Sequence, residues 1–136
     1  MNDTPTPPDA QRKKKSGISR LVNALAYSLR GLADAWRNEE AFRIEATLLI
    51  IATPFAFILG TTIGETALMI GSIVFMMIVE VLNSAIEAVV DRIGAERNEL
   101  SRVAKDSGSA AVFLSIAFPF WVWLAFILRW LGVVTF

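Results

Sequence analysis

The sequence predicts an all-α membrane protein: an N-terminal amphipathic interfacial helix followed by three transmembrane helices. The first observation is composition. Of 136 residues, 54% are hydrophobic and only 19% charged, with a mean hydropathy of +0.53. A soluble domain of this size averages about 45–50% apolar residues, because so much of it must face water. The second observation is three long apolar segments. The third is the placement of charge. Net charge is zero, with 13 basic and 13 acidic residues, and that balance argues against nucleic-acid binding. Yet Ile44–Asp91 contains no Lys or Arg and five acids, namely Glu45, Glu65, Glu80, Glu87 and Asp91.

The elements follow in order. Residues 1–17 hold three prolines, three consecutive lysines and almost nothing apolar, which reads as a disordered basic tail. No apolar h-region follows directly, so a signal peptide is not expected. From Ile18 the period changes. Ile18, Leu21, Val22, Leu25, Leu29, Leu32 and Trp36 recur at steps of three and four, with Arg20, Asn23, Arg30, Asp34 and Arg37 between them. This predicts an amphipathic helix over about 18–40, lying in the membrane interface with Trp36 near headgroup level.

Ala46–Gly64 is 19 residues without charge, Thr66–Val79 is 14, and Ser107–Leu128 is 22. About 20 helical residues cross the hydrocarbon core, so spans are expected over about 44–62, 66–91 and 107–130. The stretch from Gly60 to Gly64 reads as the turn between the first two. Pro54 and Pro119 fall inside helices, where bundle packing tolerates them. Residues 18–136 thus read as a single membrane-embedded domain. The N-terminal region and the Asp91–Asp106 loop carry 12 of the 13 basic residues. Three spans put both on one side, which the positive-inside rule makes cytoplasmic, with the C-terminus outside.

The chemistry is bounded by what is missing. There is no Cys and no His, so acid–base or metal chemistry falls to carboxylates, which suit hard ions such as Mg²⁺. Glu80, Asn83, Glu87 and Asp91 fall within a helical sector of about 80°. A charge inside a span costs about 2.5–3.5 kcal/mol, so this stripe must face a bundle interior, a subunit interface or a water-filled cleft. Glu80 lies about 18 Å of helix inward of Arg92, below the headgroups, while Asp91 is at the surface. Interhelical glue is an open reading for Asn83, and a proton relay is an open reading for the whole stripe. The alternating charges of Asp91–Asp106 read as a solvated helical face. Lys105 at a helix start, before the small residues 107–111, can meet phosphate. No GxxxxGK[ST] or GxGxxG loop is present.

The segment from Glu80 to Gly94, E-V-L-N-S-A-I-E-A-V-V-D-R-I-G, resembles the prokaryotic diacylglycerol kinase family. The resemblance continues through Glu99-Leu and Ala104-Lys-Asp-x-Gly-Ser-Ala-Ala111. Upstream it includes Ala35-Trp-x-Asn-Glu39 and Ala41-Phe-Arg-x-Glu45, so it covers about residues 20–130. It implies a homotrimeric bundle in the bacterial inner (cytoplasmic) membrane that transfers the γ-phosphate of ATP, with Mg²⁺, to diacylglycerol, giving phosphatidic acid. By motif position Glu80 resembles the catalytic base, with Asn83 beside it. Glu39 and Glu87 resemble the carboxylates that hold Mg²⁺ with ATP. Tyr27, Glu96, Asn98, Lys105 and Asp106 resemble nucleotide contacts. Arg20, Trp36, Arg43, Glu45 and Ser109 resemble lipid-substrate contacts or site supports. Leu29 and Ala33 stand where some relatives carry an aromatic and a basic residue, and Asn98 stands where a His can occur. An undecaprenol kinase of the same fold, a proton-relay or transport oligomer, and a non-catalytic membrane interaction protein are the competing expectations.

Overall fold

The computed structural model describes residues 17–94 and 98–135. The expected tail lies almost wholly outside the described residues. Four helices follow one another: α1 (Gly17–Asn38), α2 (Glu40–Leu59), α3 (Ile63–Ile93) and α4 (Glu99–Trp130). The last three are long and apolar enough to cross a membrane. Contacts divide the chain into two units, one ending at Ala33 and one starting at Asp34.

In the first unit α1 is amphipathic, and its apolar stripe (Ile18, Leu21, Val22, Leu25, Leu29) is exposed. Its polar groups satisfy one another locally. Ser28 donates to the Ala24 carbonyl at 3.1 Å and Arg30 to that of Ala26 at 3.2 Å. The Arg30 guanidinium lies 4.8 Å from the centre of the Tyr27 ring, a cation–π contact.

The second unit is built on α3, which packs against both α2 and α4, while α2 and α4 barely meet. Small and flexible residues let the helices approach. Ala52 packs with Ile73 and Met76, and Ala56 with Met69 and Phe126. Trp123 borders both clusters, and its indole N–H donates to the Met69 carbonyl at 3.2 Å. α3 and α4 run antiparallel in one register: Glu65 opposite Arg129, Met69 opposite Trp123, Asn83 opposite Gly108 and Asp91 opposite Lys105.

The turn between α2 and α3 is held at three points. Gly60 sits where a Cβ would meet Thr66 Oγ1 at 2.6 Å and the Ala56 carbonyl at 2.8 Å, so the chain can pass there only without a side chain. Thr62 caps α3, accepting from the Glu65 N–H at 3.2 Å, while the Glu65 carboxylate accepts from the Thr61 N–H at 2.7 Å. This is the reciprocal logic of a capping box. Arg129 then clamps the turn to α4 with two bonds to Glu65 (2.7 and 2.8 Å) and one to the Leu59 carbonyl (3.1 Å).

α3 and α4 differ from expectation at their far ends. Instead of a loop across residues 91–106, α3 continues to Ile93 and α4 begins at Glu99. Asn98 caps α4, accepting from the Leu100 N–H at 2.8 Å and the Ser101 N–H at 3.4 Å. Arg102 bridges Glu99 and Asp106 along the same face, so the alternating charges form i,i+3 and i,i+4 pairs that support the helix. At 31 and 32 residues, both helices exceed the 20 or so that the hydrocarbon needs. Their charged ends stand clear of it.

Between α1 and α2 the chain bends at Glu39, which is extended (φ −105°, ψ 116°) and whose side chain makes no capping bond. Arg43 holds the bend by donating to the carbonyls of Trp36 (3.1 Å) and Arg37 (3.3 Å). It thereby satisfies acceptors that the end of α1 would otherwise leave open.

Two outcomes are expected. Arg129→Ala and Glu65→Gln should each lower the melting temperature in detergent by about 2–8 °C. Because they share one contact, the double substitution should be no worse than Arg129→Ala alone. Arg43→Ala should leave the spans intact while amide exchange over residues 37–42 accelerates by about tenfold, the worth of roughly one net hydrogen bond. Unchanged exchange would remove Arg43 from its role at the bend.

Candidate functional site

The polar stripe on α3 exists, and its burial is graded. Glu80 is 6% exposed, Asn83 and Glu87 are half-buried, and Asp91 is exposed. The gradient follows from register. Beyond Glu80 the stripe still meets α4, Asn83 at Gly108 and Asp91 at Lys105, but each turn is more open to solvent. Ser84 sits on the same turn and donates to the Glu80 carbonyl at 3.1 Å.

α2 faces this stripe with two more carboxylates. Glu45 is 7% exposed and lies within electrostatic reach of Glu80. Glu39 and Glu87 both lie within electrostatic reach of Glu80 as well. The antiparallel packing that sets Ala52 against Ile73 and Met76 brings Glu45 to the level of Glu80, and Glu39 to that of Glu87. The result is a four-carboxylate cluster on two levels, one inside the bundle and one at its charged end. Glu45 was expected as a lipid contact or support. It stands inside the cluster, and its Oε2 is buried without a hydrogen-bond partner.

Cationic groups reach the cluster from α4. Lys105 Nζ is 2.5 Å from Asp91 Oδ1 and within electrostatic reach of Glu87. Asp106 is bonded to Arg102, and Ser109 is exposed. Asn83 Nδ2 donates to Glu87 Oε1 at 3.1 Å, tying the middle of the stripe to its outer carboxylate. Among expected nucleotide contacts, Asn98 uses its side-chain oxygen as the α4 cap. Glu96 lies outside the described residues. Tyr27 and Arg20 are exposed on α1 in the first unit. Trp36 is exposed, and its carbonyl receives Arg43.

Sequence reasoning missed Arg102, whose spacing from Glu99 and Asp106 was available as a signal. It read Gly108 only as one of several small residues. Gly108 is where Asn83 of α3 presses against α4, a contact that depends on interhelical register.

Beginning about one turn from Glu45 and Glu80, on the side away from the charged end, lies an apolar cavity of about 430 Å³, bordered by Leu48, Phe55, Met76, Pro119 and Trp123. A deep carboxylate pair therefore adjoins a surface suited to hydrocarbon, while a shallower pair adjoins Lys105. The donor chemistry of Glu39 and Glu87 fits a hard divalent cation. Glu39 spends no oxygen on capping. Among the described residues no group of three or more acidic side chains converges to hold a metal ion. Mg²⁺ commonly uses only one or two carboxylates, completing its shell with water and substrate phosphates, so two carboxylates are a suitable protein contribution.

Comparison with known proteins identifies the family. Residues 26–127 match the family described as prokaryotic diacylglycerol kinase. A diacylglycerol kinase of Haemophilus influenzae is 51% identical over 110 residues, covering 81% of this chain and 93% of the relative. One from Escherichia coli K12 is 48% identical over 115 residues, covering 85% and 93%. One from Helicobacter pylori is 36% identical over 128 residues, covering 94% and 96%. With near-complete coverage of these relatives and a match over most of its own length, the chain belongs to the prokaryotic diacylglycerol kinase family.

Proposed function

We propose that this protein is an ATP-dependent diacylglycerol kinase that makes phosphatidic acid at the cytoplasmic face of a bacterial inner membrane. The observation that carries the proposal is the two-level cluster: a buried carboxylate, Glu80, beside an apolar cavity, with further carboxylates towards the charged end. A diacylglycerol hydroxyl lies just below the headgroups while ATP stays in water. The reaction therefore needs a proton acceptor at one depth and phosphate-holding groups at a shallower one.

In this reading Glu80 accepts the proton of the lipid hydroxyl as its oxygen attacks the γ-phosphorus of ATP, and ADP leaves with the bridging oxygen. Phosphoryl transfer asks mainly for positioning and charge neutralisation, and the remaining residues supply those. Glu39 and Glu87 would hold Mg²⁺, which with ATP bound would offset charge on the phosphates. Asn83 steadies Glu87. Lys105 meets phosphate, for which it must exchange its bond to Asp91, with Asp106 and Asn98 on the same helix end; Tyr27 and Glu96 are nucleotide contacts by motif position alone. Trp36, Arg43 and Ser109 border the lipid headgroup, Arg20 is a lipid contact by motif position alone, Glu45 backs Glu80, and the apolar cavity takes hydrocarbon of the substrate.

The working form is a homotrimer with sites shared between subunits. Support for sharing comes from a cluster too small to enclose both ATP and lipid within one chain. The N-terminus is cytoplasmic and the C-terminus outside, as the concentration of Lys and Arg at one end supports.

Purified protein in mixed micelles with labelled ATP, Mg²⁺ and diacylglycerol is expected to give labelled phosphatidic acid, with undecaprenol a poorer acceptor. Glu80→Gln should lower kcat by about 10²–10⁴, the usual worth of a general base, at a melting temperature no lower than that of the wild type. Full turnover by that variant would remove Glu80 from the chemistry. Glu39→Gln and Glu87→Gln should each raise the Mg²⁺ concentration giving half-maximal rate by about tenfold or more, and an unshifted requirement would refute the assignment of the metal carboxylates.

A further inference from the structure

Three glycines lie inside α3 and α4, and they differ. A Cβ at Gly71 would meet nothing within 4 Å, and one at Gly64 would touch only Thr62 Oγ1 at 3.9 Å. A Cβ at Gly108 would collide with the amide of Asn83, most severely with Oδ1. Gly108 is buried and helical, without a positive φ. Its backbone therefore makes no demand that alanine could not meet, and glycine is the poorer helix former. The explanation for its small size is the neighbour it admits.

Asn83 has only one comfortable orientation there. Its Nδ2 donates to Glu87 Oε1 at 3.1 Å. Flipping the amide would set oxygen against a carboxylate oxygen, both of them acceptors. Oδ1 must therefore point the other way, into α4, where it is buried without a hydrogen-bond partner and fills the space over Gly108. The seat at Gly108 and the bond to Glu87 are two ends of one rigid planar group.

We propose that Gly108 is a positioning residue for phosphoryl transfer: by carrying no side chain it seats the Asn83 amide, and through that amide it aims the Glu87 carboxylate. This rests on the reading that Glu87 holds the divalent cation. A methyl group at residue 108 drives Asn83 off its seat and breaks the bond to Glu87. Glu87 is then left to Lys105, which already lies within electrostatic reach. A carboxylate turned to an ammonium is a poorer ligand for a metal.

The test is a double-mutant cycle on the full-length protein in detergent, comparing wild type, Gly108→Ala, Asn83→Ala and the double variant. Two quantities are measured, neither of them turnover: the Mn²⁺ dissociation constant in the presence of a non-hydrolysable ATP analogue, by electron paramagnetic resonance, and the melting temperature. Gly108→Ala is expected to weaken Mn²⁺ binding by about tenfold and to lower the melting temperature. The double variant should be no worse than Asn83→Ala in either respect, because the atom that clashes is gone. Gly71→Ala, which meets open space, should match wild type in both. If Gly108→Ala does not fold, the double variant should recover folding.

Wild-type Mn²⁺ binding by Gly108→Ala would overturn the proposal, as would penalties that simply add in the double variant, or a double variant that stays unfolded. Glu87→Gln separates the two readings. Unchanged Mn²⁺ binding there would refute the metal assignment and with it the aiming of Glu87, while the melting-temperature cycle still decides whether Gly108 seats Asn83. Weakened binding in Glu87→Gln with no coupling between residues 83 and 108 would refute the positioning role alone.

Discussion

The rest of the structure is arranged around acidic side chains kept in a bundle whose own spans supply them almost no positive charge. Between Arg43 and Arg92 there is no Lys or Arg, and in that interval lie Glu45 and Glu80, both nearly sealed from solvent. A buried carboxylate without a cationic partner is expensive. The cost is met by packing elsewhere: close-fitting alanines and methionines, the indole of Trp123 bonded to a backbone carbonyl, and the Arg129 clamp at the opposite end. Stability is thus concentrated away from the carboxylates, leaving them to hold a geometry that is unfavourable in itself.

α3 converts that constraint into a gradient. Its polar stripe passes from the sealed Glu80 through Asn83 and Glu87 to the exposed Asp91. α2 presents Glu45 at the deeper level, Glu39 precedes the helix towards the charged end, and α4 adds Lys105 only at that end. Acidity without compensation is confined to the lipid-facing depth, and cationic groups begin where phosphate would arrive. Such a separation of environments lets one small cluster of similar side chains do different work.

Much of this was legible because a bilayer enforces simple rules. Span lengths are set by hydrocarbon thickness, so charge-free stretches located the three helices, and the step of three and four residues placed Glu80, Asn83, Glu87 and Asp91 on one face before any coordinates. The ends were harder. The first two turns of α4 hide in a run of alternating charge that has no apolar period, and only the Asn98 cap and the Arg102 pairs explain them. Contacts between distant segments were out of reach. Arg129 and Glu65 are 64 residues apart, and nothing local distinguishes Gly108 from the small residues around it until α3 is laid against α4. Glu45 was recognised by its motif, but its place inside the cluster depends on the register of α2.

The clamp at Arg129 also bears on how the chain is put together. Nearly all contacts of the bundle join helices consecutive in sequence, so two antiparallel hairpins, each local, account for most of the assembly, and topologies of this kind order rapidly. Among the few links between α2 and α4 is one that forms late. Arg129, in the last turn of α4, reaches back to the Leu59 carbonyl and the Glu65 carboxylate at the reversal between α2 and α3. During synthesis that reversal waits, with its carboxylate unpaired by Arg129, until the whole of α4 has been made, and a polypeptide cut short before Arg129 would carry every acid of the carboxylate cluster and lack the closure that holds its scaffold shut.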